Sequence, residues 1–171
     1  MNKLISISIR YLILLALAFS NLYLFYLIFT PLTIYASYSL LNLFFTTTLS
    51  GNLLELAGSK ITLIPACIAG SAYYLLTILN LSTPNIKFTK RILALSLSFM
   101  VFLLINILRI YILSLMHISK ISFFDITHQL TWYLGSTIIV LLIWFSIIAI
   151  FKIKSIPFYT DIKYIYKKIK C

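Results

Sequence analysis

Three polar side chains stand in an otherwise apolar sequence and are of types that can perform covalent chemistry together. They are Cys67, Arg109 and His128. A cysteine thiolate is a strong nucleophile, an imidazole takes up and releases protons near neutral pH, and a guanidinium remains a fixed cation. Such a set is typical of sites that cleave or transfer acyl groups through a covalent intermediate.

Cys67 is predicted to lie in the first turn of a helix, because Pro65 precedes it by two positions and proline is favoured at the first helical position. The partial positive charge of a helix N-terminus favours the thiolate. Gly70 and Ser71 follow three and four positions later, so on a continuous helix they share the face of Cys67 and leave room beside it. The alternative is that Cys67 is a small buried apolar residue, as lone cysteines usually are.

Arg109 lies inside an apolar run, with Asn106 three positions earlier on the same helix face. An arginine near mid-membrane costs about 2.5–3.5 kcal/mol on insertion scales, which makes a functional role the default expectation. The alternative is a structural arginine that snorkels to the membrane surface or binds backbone carbonyls.

His128 stands at the start of another apolar run, where Asp125 or Thr127 is expected to cap the helix. His117 ends the preceding run and is the second imidazole of the chain. We favour His128, since it enters a helix beside the predicted site, whereas His117 ends a helix in a loop. The alternative is an interfacial histidine with no chemical role.

The composition predicts the kind of fold that must position these groups. The chain of 171 residues is 62% apolar and 10% charged, against about 25% charged residues in soluble domains. This excludes an ordinary soluble domain, and the hydrophobicity excludes disorder. Cys67 and Cys171 cannot form a disulfide framework. Residues 1–171 are therefore predicted to be one integral membrane domain with an all-α fold, a polytopic bundle of transmembrane helices.

Four apolar runs are about long enough to cross a membrane: 11–30, 65–81, 92–116 and 129–151. Residues 31–50 are ambiguous, because Pro31 is expected to break the first helix. They are either a fifth span or an interfacial or re-entrant segment, and we favour the second. Within 51–64, two short apolar stretches flank a turn signal at 57–60, which predicts a small extracytoplasmic hairpin.

The positive charges indicate an orientation for these spans. The net charge is +11, and most lysines and arginines lie at the ends of apolar runs, which is typical of cytoplasmic loops in membrane proteins. If 31–50 does not cross, both termini, the loop 82–91 and the basic tail 152–171 are cytoplasmic. Cys67, Arg109 and His128 then share one depth near the extracytoplasmic face. A nucleic-acid partner is not expected, because the charges do not form one folded face.

The segments around these residues resemble motifs of the exosortase/archaeosortase family of membrane transpeptidases. The resemblance is carried by ACIAG at 66–70, NILRI at 106–110 and His128, together with the Gly-Asn pair that opens the hairpin. It covers about residues 51–151, and the length of the chain is similar to that of the small archaeal forms. One departure is Ile68, where family members usually carry serine or threonine.

The resemblance implies a multi-pass cysteine protease or transpeptidase with its active site at the extracytoplasmic side of the cell membrane. Its substrates are surface proteins with a C-terminal sorting signal, made of a short motif, a transmembrane helix and a basic cluster. Cys67 forms a thioester acyl-enzyme, His128 moves protons, and Arg109 stabilises the oxyanion or the thiolate. The acceptor is a membrane lipid or water. No cofactor is expected, and no metal, because one cysteine and two histidines are too few for a four-ligand site.

Two other classes of function remain as alternatives. The first is a non-catalytic membrane subunit or small transporter in which Arg109 binds an anion or a neighbouring helix. The second is another membrane enzyme, but the Gly-x-Ser-Gly of a rhomboid-like protease is absent, and three carboxylates in the chain are too few for a metal-dependent lipid phosphatase. The requirement for Cys67 separates the transpeptidase from the non-catalytic alternative.

Overall fold

The computed structural model describes residues 3–169, which are mostly helical and include one small sheet. Lys170 and Cys171, which belong to the predicted tail, lie outside the described residues. The elements, in chain order, are α1 Lys3–Phe19, α2 Tyr23–Asn42, β1 Thr47–Ser50, β2 Leu53–Leu56, β3 Ser59–Thr62, α3 Pro65–Ile68, α4 Gly70–Leu81, α5 Phe88–Ile118, α6 Phe124–Leu130, a π-helical turn Thr131–Gly135, α7 Ser136–Phe151 and α8 Tyr159–Ile169.

Three helical stretches are long and apolar enough to cross a membrane: α2, α5 and the continuous stretch Phe124–Phe151. The last two contain the predicted runs 92–116 and 129–151. Two further apolar helical stretches, Leu4–Phe19 and Pro65–Leu81, are shorter. Large apolar side chains on the outside of the bundle, such as Leu12, Leu104 and Phe145, are more than 60% exposed. Lipid is the solvent in which such an exterior is stable.

The first predicted span has the wrong boundaries. The chain breaks after α1, where Asn21 and Leu22 have positive φ angles of 51° and 59°, and not at Pro31, which lies inside α2. Apolar helices tolerate an internal proline when neighbouring elements pack around the freed carbonyl, and α2 packs against α4 and α5. Residues 31–42 therefore complete a helix, and the predicted interfacial or re-entrant segment is wrong.

The chain passes along the bundle only once between residues 3 and 42. Arg10 of α1 donates to the carbonyl of Leu81, at the end of α4, over 2.9 Å. The other end of this segment, at Leu41, joins an apolar cluster with Leu54 of the sheet. We call these two ends of the bundle the basic end and the sheet end.

Three segments predicted to share one side of the membrane meet at the basic end. Arg10 forms a 2.8 Å ion pair with Asp161 of α8, whose side chain is almost fully buried. Arg91 of α5 donates to the carbonyls of Asn80, Leu81 and Thr83, which end α4. The N-terminal helix, the residues that follow α4 and the tail therefore meet at this end of the bundle. The docking of the tail through Asp161 was not predicted.

The sheet corrects the predicted all-α fold class. Strands β1, β2 and β3 form an antiparallel sheet in that order. The predicted hairpin is confirmed as β2 and β3, joined by Ala57 and Gly58, both with positive φ, as tight hairpin turns require. β1 was missed, because its Thr-Thr-Leu-Ser sequence follows a long apolar segment and is too short to show alternation.

Gly70 allows a close approach between α2 and the start of α4, and this contact can be tested by substitution. A Cβ at this position would lie 2.7 Å from Cζ of Tyr26. We expect Gly70→Ala to lower the stability by about 1–3 kcal/mol through overpacking. In the matched variant Gly135→Ala, the nearest atom would be 3.6 Å away, so stability should be unchanged or slightly higher. Thermal unfolding of both variants in the same detergent measures the difference, and equal melting temperatures would contradict it.

Candidate active site

Cys67 lies in a separate helical turn and not in the first turn of the long helix. α3 begins with Pro65, and the Cys67 N–H donates to the Ile64 carbonyl over 2.8 Å. Ala69 then adopts a left-handed conformation with φ of 58°, and α4 starts anew at Gly70. A single turn has little macrodipole, so the predicted helix-terminus effect on the thiol is weaker than the sequence indicates. Cys67 is a free, partly buried cysteine.

The break at Ala69 also separates the two predicted neighbours of Cys67. Gly70 is buried beneath Tyr26. Ser71 is exposed and lines a cavity of about 500 Å³ with Pro65 and Ser136, whereas Cys67 lines another cavity. The predicted shared face is therefore wrong, because it requires a continuous helix from Cys67 to Ser71.

The backbone carbonyl of Cys67 is bound by two polar residues of α5, Asn106 and Arg109. Asn106 Nδ2 donates to this oxygen over 2.9 Å, and Arg109 Nη2 lies at 3.5 Å from the same oxygen. Arg109 Nη1 donates to Ser136 Oγ of α7 over 3.0 Å. The guanidinium therefore joins α5 to the cysteine turn and to α7. The structure thus brings two of the sequence-predicted residues, Arg109 and Asn106, directly to Cys67.

Asn106 and Arg109 retain unused hydrogen-bonding capacity. Among the described residues, Asn106 Oδ1 and Arg109 Nε are buried without a partner. A buried polar atom without a partner costs free energy, and such atoms are expected where a ligand or water completes the site. One free acceptor and one free donor therefore lie on the two side chains that hold the Cys67 backbone.

The two histidines line the same cavity as Cys67. This cavity, of about 210 Å³, is bounded by β3, α3, the end of α5 and α6. The ring of Phe124 stacks on His128, with centroids 5.7 Å apart, and contacts His117 at 5.1 Å. In the described part of the chain, neither imidazole is hydrogen bonded to the Cys67 thiol. The sequence analysis preferred His128, but the fold places both imidazoles at the cavity of the cysteine.

His128 belongs to α6, which starts at Phe124 and not at a polar cap. Phe123 occupies the N-cap position without a side-chain hydrogen bond, so the predicted capping by Asp125 or Thr127 is wrong. Asp125 lies exposed in the first helical turn, where its charge suits the helix dipole. No hydrogen bond or ion pair links it to His128 in the part of the chain that the structure describes.

A π-helical turn connects His128 to the residue that holds Arg109. Thr131 Oγ1 donates to the His128 carbonyl over 3.0 Å, and Ser136 Oγ lies 3.4 Å from the Thr131 carbonyl. The turn spans Thr131–Gly135, and turns of this kind are often found at functional sites. Ser136 was not predicted from the sequence. The only sign of it there is a polar residue in an apolar run, eight positions after His128.

The arrangement can support nucleophilic acyl chemistry at a thiol. Cys67 faces a cavity that also contains two groups able to accept its proton. Among the described residues, no group of three histidine, cysteine, aspartate or glutamate side chains is placed to hold a metal ion. Comparison with known proteins finds no matching family model, no matching curated protein and no matching solved structure.

The two imidazoles can be distinguished by substitution. We expect His128→Ala to lower the rate of acyl transfer by about 10²–10⁴-fold, the usual contribution of a general acid–base group. His117→Ala, the matched variant at the same cavity, should lower it by less than about tenfold. Single-turnover rates as a function of pH measure both variants. A larger loss for His117→Ala would assign the proton transfer to His117 instead.

Proposed function

We propose that the protein is a multi-pass membrane cysteine transpeptidase, similar to exosortases and archaeosortases, which cleaves the C-terminal sorting signal of surface proteins. The observation that supports the proposal most strongly is the shared cavity of Cys67, His128 and His117. The second support is the pair of hydrogen bonds that Asn106 and Arg109 donate to the backbone carbonyl of Cys67. The residues involved lie on three helices, α3, α5 and α6, which come from separate parts of the chain. Their meeting is therefore a property of the fold.

In the proposed reaction, Cys67 Sγ attacks the carbonyl carbon of the scissile peptide bond. The thiol proton moves to the imidazole of His128, which then gives it to the leaving amine as the C–N bond breaks. The product of this half is a thioester between Cys67 and the new C-terminus of the substrate. A hydroxyl or amine of a lipid acceptor, or water, then attacks the thioester carbonyl carbon while His128 takes up the proton of the attacking group. As the C–S bond breaks, His128 passes this proton to the Cys67 thiolate.

Arg109 and Asn106 act as positioning residues in this proposal. Arg109 is a planar cation that holds the Cys67 carbonyl and Ser136 at once, so it fixes the cysteine turn against α7. Its charge also favours the thiolate and the oxyanion in a medium of low dielectric constant. Arginine remains charged and is not suited to act as a base.

Two cavities on opposite sides of the cysteine turn suit a reaction with two substrates. The smaller one contains Cys67, and the larger one contains Ser71, Trp132 and Ser136. We assign the smaller cavity to the scissile segment of the sorting signal. The larger cavity, with its mixture of aromatic and hydroxyl side chains, is assigned to the acceptor lipid.

The non-catalytic alternative is favoured by one observation, the hydrogen bonds through which Arg109 links α5 to α3 and α7. In that case Arg109 only holds helices together and Cys67 is a small apolar residue. The test is the mass-spectrometric C-terminus of a co-expressed surface protein with a sorting signal. The transpeptidase yields a truncated C-terminus that carries a lipid mass only when the protein is present. An intact C-terminus in cells that contain the folded protein would contradict the proposal.

A further inference from the structure

Four lysines surround a cavity at the basic end of the bundle. The cavity has a volume of about 350 Å³ and lies between the start of α5 and the end of α7. Its lysines are Lys87, Lys90, Lys152 and Lys154, and the remaining lining residues are Asn85, Ile86, Ile153 and Ser155. No acidic side chain lines it.

Within residues 3–169, no aspartate or glutamate side chain neutralises these lysines. The chain contains three acidic residues in all. Asp161 is buried in its ion pair with Arg10, and Glu55 pairs with Lys60 in the sheet. Asp125 lies in α6, which packs against the end of α5 beside the sheet end. The four ammonium groups therefore repel one another unless an external anion joins them.

The position of the cavity corresponds to the headgroup layer of a membrane. Lys87 is the residue before α5, and Lys152 follows α7 directly. Both helices are apolar spans, so the residues at their ends lie where hydrocarbon gives way to headgroups. No side chain caps the first turn of α5 at Lys87, and free N–H groups at the start of a long helix attract anions.

One hydrogen bond keeps the two walls of the cavity together. Lys90 Nζ donates to the carbonyl of Phe151, the last residue of α7, over 2.6 Å. The Lys90 side chain is thus bound within the protein, while the side chains of Lys87, Lys152 and Lys154 make no hydrogen bond or ion pair within the described residues. The cavity is a preformed arrangement between two helix ends and not a chance cluster on one loop.

We propose that the lysine cavity binds the phosphate of an anionic phospholipid headgroup from the adjacent leaflet. The three unpaired lysines surround the phosphate, and the acyl chains extend along the apolar sides of α5 and α7. Basic pockets between transmembrane helices bind lipid headgroups in this manner. The site lies at the opposite end of the bundle from Cys67, so its occupancy is independent of the proposed acyl transfer.

The test uses the full-length protein reconstituted in phosphatidylcholine nanodiscs with increasing amounts of phosphatidylglycerol. Retained lipid is counted by native mass spectrometry after release into detergent. The variant K87Q/K152Q/K154Q removes the three unpaired lysines and leaves Lys90 in place. The matched control K120Q/K163Q/K168Q removes the same charge from exposed positions elsewhere. We expect the affinity for phosphatidylglycerol to fall about a hundredfold in the cavity variant and less than about threefold in the control.

Three outcomes would overturn the proposal. An equal loss of affinity for phosphatidylglycerol in the two variants would indicate non-specific attraction. An unchanged affinity in the cavity variant would show that the cavity is not the binding site. Displacement of the lipid by inorganic phosphate would assign the cavity to a soluble anion. The charge-retaining variant K87R/K152R/K154R is the control for misfolding. We expect it to bind phosphatidylglycerol as the unmodified protein does, because its three charges are kept.

Discussion

Cys67→Ala should abolish processing of a co-expressed surface protein that carries a C-terminal sorting signal. Among the described residues, Cys67 provides the only thiol in the cavity that also contains His117 and His128. Removing the nucleophile of a covalent acyl-transfer site lowers the rate by about 10⁶-fold. We expect the same loss in Cys67→Ser, because the surroundings of a thiol do not activate a hydroxyl of much lower acidity. The C-terminus of the substrate, determined by mass spectrometry, measures the effect.

The control for this prediction is the other cysteine of the chain. Cys171→Ala removes the terminal thiol and should process the substrate at the rate of the unmodified protein. Melting temperatures of both variants in detergent show whether the alanine at residue 67 disturbs folding. Continued processing in a folded Cys67→Ala variant would show that Cys67 is not the nucleophile and would favour the non-catalytic alternative.

Arg109→Lys should lower the rate of processing by about 10²-fold, the effect of displacing a reacting group by about 1 Å. Arg109 reaches the Cys67 carbonyl and Ser136 Oγ through two different nitrogens. A lysine presents one compact ammonium group, which has no planar fork with which to hold two acceptors on different helices. The cysteine turn should then shift relative to α7, even though the positive charge is kept.

Arg91→Lys is the matched control, since Arg91 also binds several carbonyls with its fork but lies at the basic end. We expect it to lower the melting temperature while leaving the rate for each folded molecule unchanged. The kinetic comparison therefore separates a structural loss from a loss at the candidate site. Equal rates of processing for Arg109→Lys and the unmodified protein would show that only the positive charge of Arg109 is required.

Much of the bundle could be predicted because it depends on composition and local pattern. The apolar runs within α5 and α7 are long enough to specify spans by length alone. The turn between β2 and β3 could be predicted from Gly58, because glycine tolerates the positive φ that this turn requires. The distribution of lysines and arginines placed α1, the loop 82–91 and the tail on one side in the prediction, and in the structure Arg10 of α1 contacts Asp161 of the tail and Leu81, which directly precedes the loop.

The errors occurred where a non-local contact overrides a local preference. Ala69 and Leu22 adopt left-handed conformations, which cost free energy for a residue with a Cβ and have no signature in the sequence. Pro31 remains inside a helix because surrounding elements pack around it. These three positions account for the wrong boundary of the first helix and for the separation of Cys67 from Ser71.

By itself, the sequence determined that the chain is mostly apolar and helical and that α5 and Phe124–Phe151 are long enough to cross a membrane, because hydrophobicity and run length are local properties. Only the tertiary structure decided that Asn106 and Arg109 bind the carbonyl of Cys67, that His117 joins His128 at one cavity, and that four lysines meet between α5 and α7. These are contacts between residues far apart in the chain. They depend on how helices pack and where single residues break them, and no local pattern encodes either.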